Sequence, residues 1–168
     1  YRAVQLNMDR VVALKVIYPR GRDDYYVRGR FDREVVSLAR IEHPNVVPVY
    51  HAGDWHGFPY LTMKFVPGGP LSQHLARFRG RPEACAALVA KVARAVQALH
   101  DANILHRDLK PLNILLGDGD EPLVADFGLA KWLDDTDSDY THSGMPVGTR
   151  QYMAPEQTEG SRAGYTRA

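Results

Sequence analysis

Hydrophobic and polar positions change their period several times along this chain. Residues 1–6 alternate weakly, and Val11-Val-Ala-Leu-Lys-Val-Ile17 is a nearly unbroken apolar run with one lysine inside it. The turn-like Asn7-Met-Asp-Arg10 lies between them, so the pair predicts a β-hairpin. Phe31, Val35, Leu38 and Ile41 recur at helical spacing and predict a helix with one apolar face. Strands are expected over 46–50 and 60–66, with Gly53 and Gly57 in the turn between them. Pro67-Gly-Gly-Pro70 breaks the pattern. Beyond it the period turns helical: a short helix over 71–79, then a longer one opened by Pro82, with Leu88, Val92, Val96 and Leu99 as its buried stripe. Two short apolar runs, 113–116 and 123–125, predict small strands. Residues 134–144 are acidic, rich in hydroxyls and aperiodic, which predicts a loop. Strands prevail over 1–66 and helical periods over 67–168, so the chain reads as α+β with a strand-rich first part and a mainly helical second.

Composition narrows the function classes. The 168 residues are 45% hydrophobic, enough for a core. Lys plus Arg number 21 and Asp plus Glu 20, for a net charge of +1, so bulk charge argues for neither nucleic acid nor membrane binding. Cys85 is the single cysteine, which excludes an intrachain disulfide and suits a reducing, cytoplasmic setting. No run approaches a membrane span. Of the seven histidines, only His106 sits in a suggestive setting; His51 and His56 flank an exposed turn, and none shows metal-ligand spacing.

The chemistry concentrates in His106-Arg-Asp-Leu-Lys-Pro-Leu-Asn113 and Asp126-Phe-Gly128. Two carboxylates and an amide on short turns between apolar strands can hold a hard, oxygen-seeking cation against phosphates and orient a hydroxyl. Taken singly, Asp108 reads as a solvated turn residue, Asn113 as a turn cap and Asp126 as a backbone partner. Their shared spacing favours the catalytic reading. Lys15 in mid-strand needs a paired or wetted ammonium.

These segments resemble the protein kinase catalytic domain. Val12-Ala-Leu-Lys-Val-Ile17 resembles the V-A-I-K strand, Glu34 stands where the family places its helix glutamate, and Gly148-Thr-Arg-Gln-Tyr-Met-Ala-Pro-Glu156 resembles the segment ending in A-P-E. Lys110, Thr149 and the Ala-Pro-Glu-Gln ending look most like serine/threonine kinases of the bacterial, eukaryotic-like type. The resemblance implies a two-lobed fold, ATP and Mg²⁺, and protein substrates bearing Ser or Thr. It makes Asp108 the residue that orients the substrate hydroxyl and Lys110 its neutralising neighbour. Asn113 and Asp126 become magnesium ligands, and Lys15, paired to Glu34, the phosphate contact. His106 is expected to order the site beside Phe127 rather than act as a base. Ala13 and Leu115 would sandwich adenine, Met63 would back the pocket, and the main chain of Lys64 and Val66 would bond its edge. The family usually has an acidic residue at position 64.

Regulation and completeness follow from the same resemblance. Thr141 and Ser143 are spaced like activating phosphosites, with Arg107, Lys131 and Arg30 as bases for the phosphate and self-association as the route to autophosphorylation. Arg77, Arg79 and Arg81 read as a solvated connector. A first strand and a Gly-rich loop are expected before Tyr1 and further helices after Glu156, so 1–168 would be an incomplete domain, inactive alone. The competing class is a pseudokinase or scaffold acting by contacts; intact Lys15, Glu34, Asp108, Asn113 and Asp126 argue against it.

Overall fold

A computed structural model describes residues 1–17, 39–127 and 150–152. Within them, β1 (Arg2–Gln5) and β2 (Arg10–Val16) form the expected hairpin, closed by a 3₁₀ turn over Leu6–Met8. Asp9 follows that turn in the left-handed region at φ 44°, a conformation that aspartate tolerates. β3 (Val49–Trp55) and β4 (Phe58–Lys64) complete an antiparallel sheet of order β1-β2-β4-β3. The register sets Arg2 opposite Ala13, Val4 opposite Val11, and Ala13 opposite Met63.

The strand boundaries differ from the sequence reading in two places. Gly53 lies inside β3 opposite Tyr60, not in the turn. The Tyr60 ring covers it so closely that a Cβ there would come within 2.7 Å of the phenolic oxygen. Val46 is not the start of a strand in this sheet. It runs parallel to Val124 instead, with the Val47 N–H donating to Val124 O at 2.9 Å and the Val124 N–H to Asn45 O at 2.8 Å.

The expected helix over 71–79 is two 3₁₀ turns, Leu71–Gln73 and Leu75–Phe78. The long helix is present as α1 (Pro82–Asp101). Pro82 occupies its first turn, where no intrahelical partner is lost, and Glu83 there complements the helix dipole. Leu88, Val92 and Leu99 are buried as expected, but the position between them is taken by Ala95, fully buried, with Val96 at the margin. A small residue at that point lets the helix approach the β5 (Ile114–Leu116) and β6 (Pro122–Val124) hairpin closely.

One apolar cluster joins the parts. Leu61 and Met63 of β4, Val46 and Val47, the α1 stripe, Leu116, Val124 and Phe127 are all buried in it. Two polar ties surround this core. Asn45, itself buried, donates from Nδ2 to Glu121 Oε1 at 2.7 Å and to Pro122 O at 2.8 Å. Lys91 of α1 pairs with the other Glu121 oxygen. These bonds hold the Glu121 carboxyl below its usual range, the Lys91 contact contributing most. No helix among the described residues is long and apolar enough to cross a membrane.

Candidate active site

The 106–113 turn owes its shape to the backbone. Arg107 sits at φ 63°, a left-handed conformation that costs a residue with a Cβ about 1–2 kcal/mol. His106 lies just ahead of it, buried, with both ring nitrogens engaged. Nε2 donates to Ala125 O at 2.9 Å, and Nδ1 accepts the Asp108 N–H at 3.3 Å. Burial lowers the pKa of this imidazole, against the opposing pull of the Ala125 carbonyl and the nearby Asp108 and Asp126 carboxylates. A neutral ring with both nitrogens occupied is a brace, in keeping with the ordering role expected of it.

His106 braces the turn against the strand that delivers Asp126. The same strand end is tied a second time, by the Ala125 N–H donating to Asn113 O at 2.9 Å. Asp126, at φ 59°, then turns out of the strand, half-exposed. The β5–β6 hairpin therefore carries Asn113 at its entrance, opposite Ala125, and Asp126 at its exit, one residue further on.

Two of the expected residues converge on Asp108. Its Oδ2 meets the Lys110 ammonium at 2.7 Å and the Asn113 Nδ2 at 3.0 Å. The same Nδ2 also donates to the Asp108 carbonyl at 2.8 Å. Asn113 is buried and spends its amide hydrogens on Asp108, so its Oδ1 remains the acceptor end. The Asp108 carboxylate is partly exposed, with Oδ2 fixed by two donors.

Lys15 reaches the same region from the sheet. Its Nζ lies 2.7 Å from Asp126 Oδ1, a contact between residues 111 apart in sequence. Pairing with Glu34 was the expected arrangement; Glu34 lies outside the described residues, as do Arg30, Lys131, Thr141, Ser143 and the segment from Gly148 to Glu156 apart from 150–152. The Lys15–Asp126 contact fixes which face of β2 looks toward the turn that carries Asp126. By strand alternation, Ala13 shares it.

The chain between sheet and helix packs tightly on β5. Gly68 lies so close that a Cβ would stand 2.1 Å from Leu116 O. Gly69, at φ 73°, accepts the Leu116 N–H at 2.9 Å, and Pro70 bridges to Leu115. Leu115 is thereby set against this crossing, while Met63 and Val66 are buried and Lys64 is exposed. Arg77, Arg79 and Arg81 are exposed, as a solvated connector would be, and the Arg77 guanidinium also pairs with Asp120 at 2.7 Å.

Comparison with known proteins names this arrangement. The protein kinase domain profile matches residues 1–168. The chain belongs to the protein kinase family. This kinase chain is 42% identical over 168 residues to the DNA damage-responsive serine/threonine-protein kinase RqkA of Deinococcus radiodurans, covering 95% of this chain and 24% of that protein. It is 35% identical to the serine/threonine-protein kinase PknD of Mycobacterium tuberculosis, over 98% of this chain and 25% of that one. A probable serine/threonine-protein kinase of Corynebacterium efficiens is 36% identical, over 97% and 26%. The kinase chain thus spans about a quarter of the length of these relatives. Among solved structures, the kinase domain of M. tuberculosis PknI superposes with a TM-score of 0.67 at 33% identity, covering 77% of this chain and 53% of that one. The sheet, the crossing at Pro67–Pro70 and the helix with the β5–β6 hairpin are accordingly a partial two-lobed kinase fold.

Sequence reasoning missed Asn45, Lys91 and Glu121. None sits in a motif, and each is an ordinary polar residue in its own window. Asn45, between Pro44 and two valines, offered one signal: a polar side chain entering an apolar run needs a buried partner.

Proposed function

We propose that the kinase to which this chain belongs transfers the γ-phosphate of ATP to serine and threonine hydroxyls of protein substrates. The observation that carries the reading is the convergence of Lys110 and Asn113 on one oxygen of Asp108. That grip leaves Asp108 Oδ1 to accept the proton of a substrate hydroxyl. The hydroxyl oxygen then bonds to the γ-phosphorus as the bond to the β-phosphate oxygen breaks, and ADP leaves. Lys110, beside the reacting centre, neutralises charge that develops on the phosphoryl oxygens. Lys15, freed from Asp126 and held by Glu34, contacts the α- and β-phosphates.

The donor set suits Mg²⁺. Asp126 offers a half-exposed carboxylate and Asn113 an amide oxygen, both hard donors of the kind this ion takes alongside water and phosphate. When bound, the ion supplies charge neutralisation on the phosphates. Ala13, Leu115 and Met63 form the adenine slot, with the Lys64 carbonyl and Val66 N–H on its edge. The lobes divide as 1–66 and 67–168. Thr141 and Ser143 accept phosphate from a second copy of the kinase, and Arg107, Lys131 and Arg30 then hold it and order the segment. A cytoplasmic location supplies ATP and keeps Cys85 reduced.

The test uses the full-length protein with Mg²⁺, ATP and a general protein substrate. Asp108→Asn is expected to lower kcat by about 10²–10⁴-fold, the usual contribution of a positioned base, while nucleotide affinity stays within about threefold. Mass spectrometry of the same incubation is expected to find phosphate on Thr141 or Ser143 in the wild type alone. Wild-type turnover in Asp108→Asn overturns the assignment.

A further inference from the structure

The cleft face of the sheet carries a residue that no motif singles out. Lys15 reaches Asp126, so its side of β2 faces the turn that carries Asp126. Ala13 and Val11 share that side by alternation. Residues directly opposite across an antiparallel pair also share a side, and Arg2 is the partner of Ala13. The Arg2 side chain does not run outward along its own edge strand. It crosses the face of β2 and sets its guanidinium over the Phe65 ring, 5.3 Å from the centroid. Phe65 lies between Lys64 and Val66, whose main chain forms the edge of the proposed adenine slot. Met63, opposite Ala13, stands at the back of the same slot.

We infer that Arg2 is a base-binding residue of this kinase, its guanidinium plane forming the outer wall of the adenine slot, seated on Phe65. The inference rests on the adenine-slot reading above. Three properties fit. A guanidinium is planar and weakly hydrated, and it stacks on aromatic faces, so it can lie between the Phe65 ring and a purine rim. Its stem covers the Ala13 side of the slot, adding apolar contact that a short side chain would lack. Its charge sits at the Phe65 end of the cleft, whereas the ammonium of Lys15 lies two positions further along β2 from Ala13. The two cations therefore act on different parts of one ligand: Arg2 on the base, Lys15 on the phosphates.

That separation gives the test. The full-length protein is titrated by calorimetry with adenosine, and with ATP in the presence of Mg²⁺. The variants are Arg2→Ala, Arg2→Lys and Phe65→Leu. Arg2 is exposed, and far-ultraviolet circular dichroism confirms that each variant keeps its fold. Arg2→Ala is expected to weaken adenosine and ATP by the same factor, about threefold to thirtyfold for a cation–aromatic contact. Arg2→Lys, which keeps the charge and loses the plane, is expected to lose most of that factor. In the Arg2→Ala background, Phe65→Leu should cost little more. Unchanged adenosine affinity in Arg2→Ala overturns the inference and leaves the nucleotide site standing. A loss confined to ATP overturns it too, since that marks attraction of phosphate alone. Full-length wild-type protein that binds neither ligand overturns the adenine slot and the inference together.

Discussion

At the scale of single residues, the turns that carry Asp108 and Asp126 are held in place by hydrogen bonds from their neighbours. His106 is the clearest, since its two nitrogens join Ala125 to Asp108. Burial lowers its pKa below the usual 6.5, so the unfolded chain takes up a proton more readily than the folded one. Stability must then rise with pH across this window: complete above about 6.5, it is lost progressively as pH falls toward the folded value. Urea midpoints measured from pH 7.5 to 5 should fall more steeply in the wild type than in His106→Gln. A sequence shows such a residue but not its role. The motif marked His106 and Asp108 at once, whereas the reading of His106 as a brace needed the resemblance, and the hydrogen bonds that make it one appear only when Ala125, 19 residues on, is folded beside it. Lys110 and Asn113 were legible for the opposite reason: they lie within five residues of Asp108, so chain order alone nearly fixes their meeting.

At the scale of elements, periodicity located β1, β2, β4 and α1 to within a residue or two and failed where packing overrode it. The 3₁₀ turns over Leu71–Gln73 and Leu75–Phe78 replace a helix because the chain there must stay close to the crossing over β5. Gly53 was misplaced because glycine signals a turn in sequence, whereas here it makes room for the Tyr60 ring. Among the described glycines, Gly68 makes the closest approach, against Leu116 of β5. Gly68→Ala forces a Cβ against the Leu116 carbonyl and should destabilise by about 1–3 kcal/mol, as overpacking generally does. Gly80→Ala is the control. Nothing lies within 4 Å of a Cβ at Gly80, so only the strain of φ 70° remains, about 1 kcal/mol. Urea denaturation of the two variants separates a steric cost from a conformational one. Equal losses would mean that the crossing at Gly68 yields without penalty.

At the scale of the whole molecule, the sheet and helical parts are tied through Asn45, Glu121 and Lys91. Both charged partners are nearly two-fifths exposed, so Lys91→Ala should cost no more than about 1 kcal/mol. Asn45→Ala strips a buried donor from Glu121 and Pro122 and should cost about 1–3 kcal/mol. Because both act on one carboxylate, the double variant should depart from additivity by at least about 0.5 kcal/mol. Additive losses in thermal or urea unfolding would separate the two bonds. The Asn45 contact also has a consequence in time. Asn45 and Pro122 are 77 residues apart, so a ribosome working at roughly 5–20 residues per second needs about 4–15 s to deliver the second after the first. For that interval the valines at 46 and 47, which end fully enclosed, have yet to meet β6, the strand with which they pair. The nascent chain thus carries an apolar segment awaiting its cover, and a chaperone that binds extended apolar peptides should find it there and lose it once Val124 has emerged.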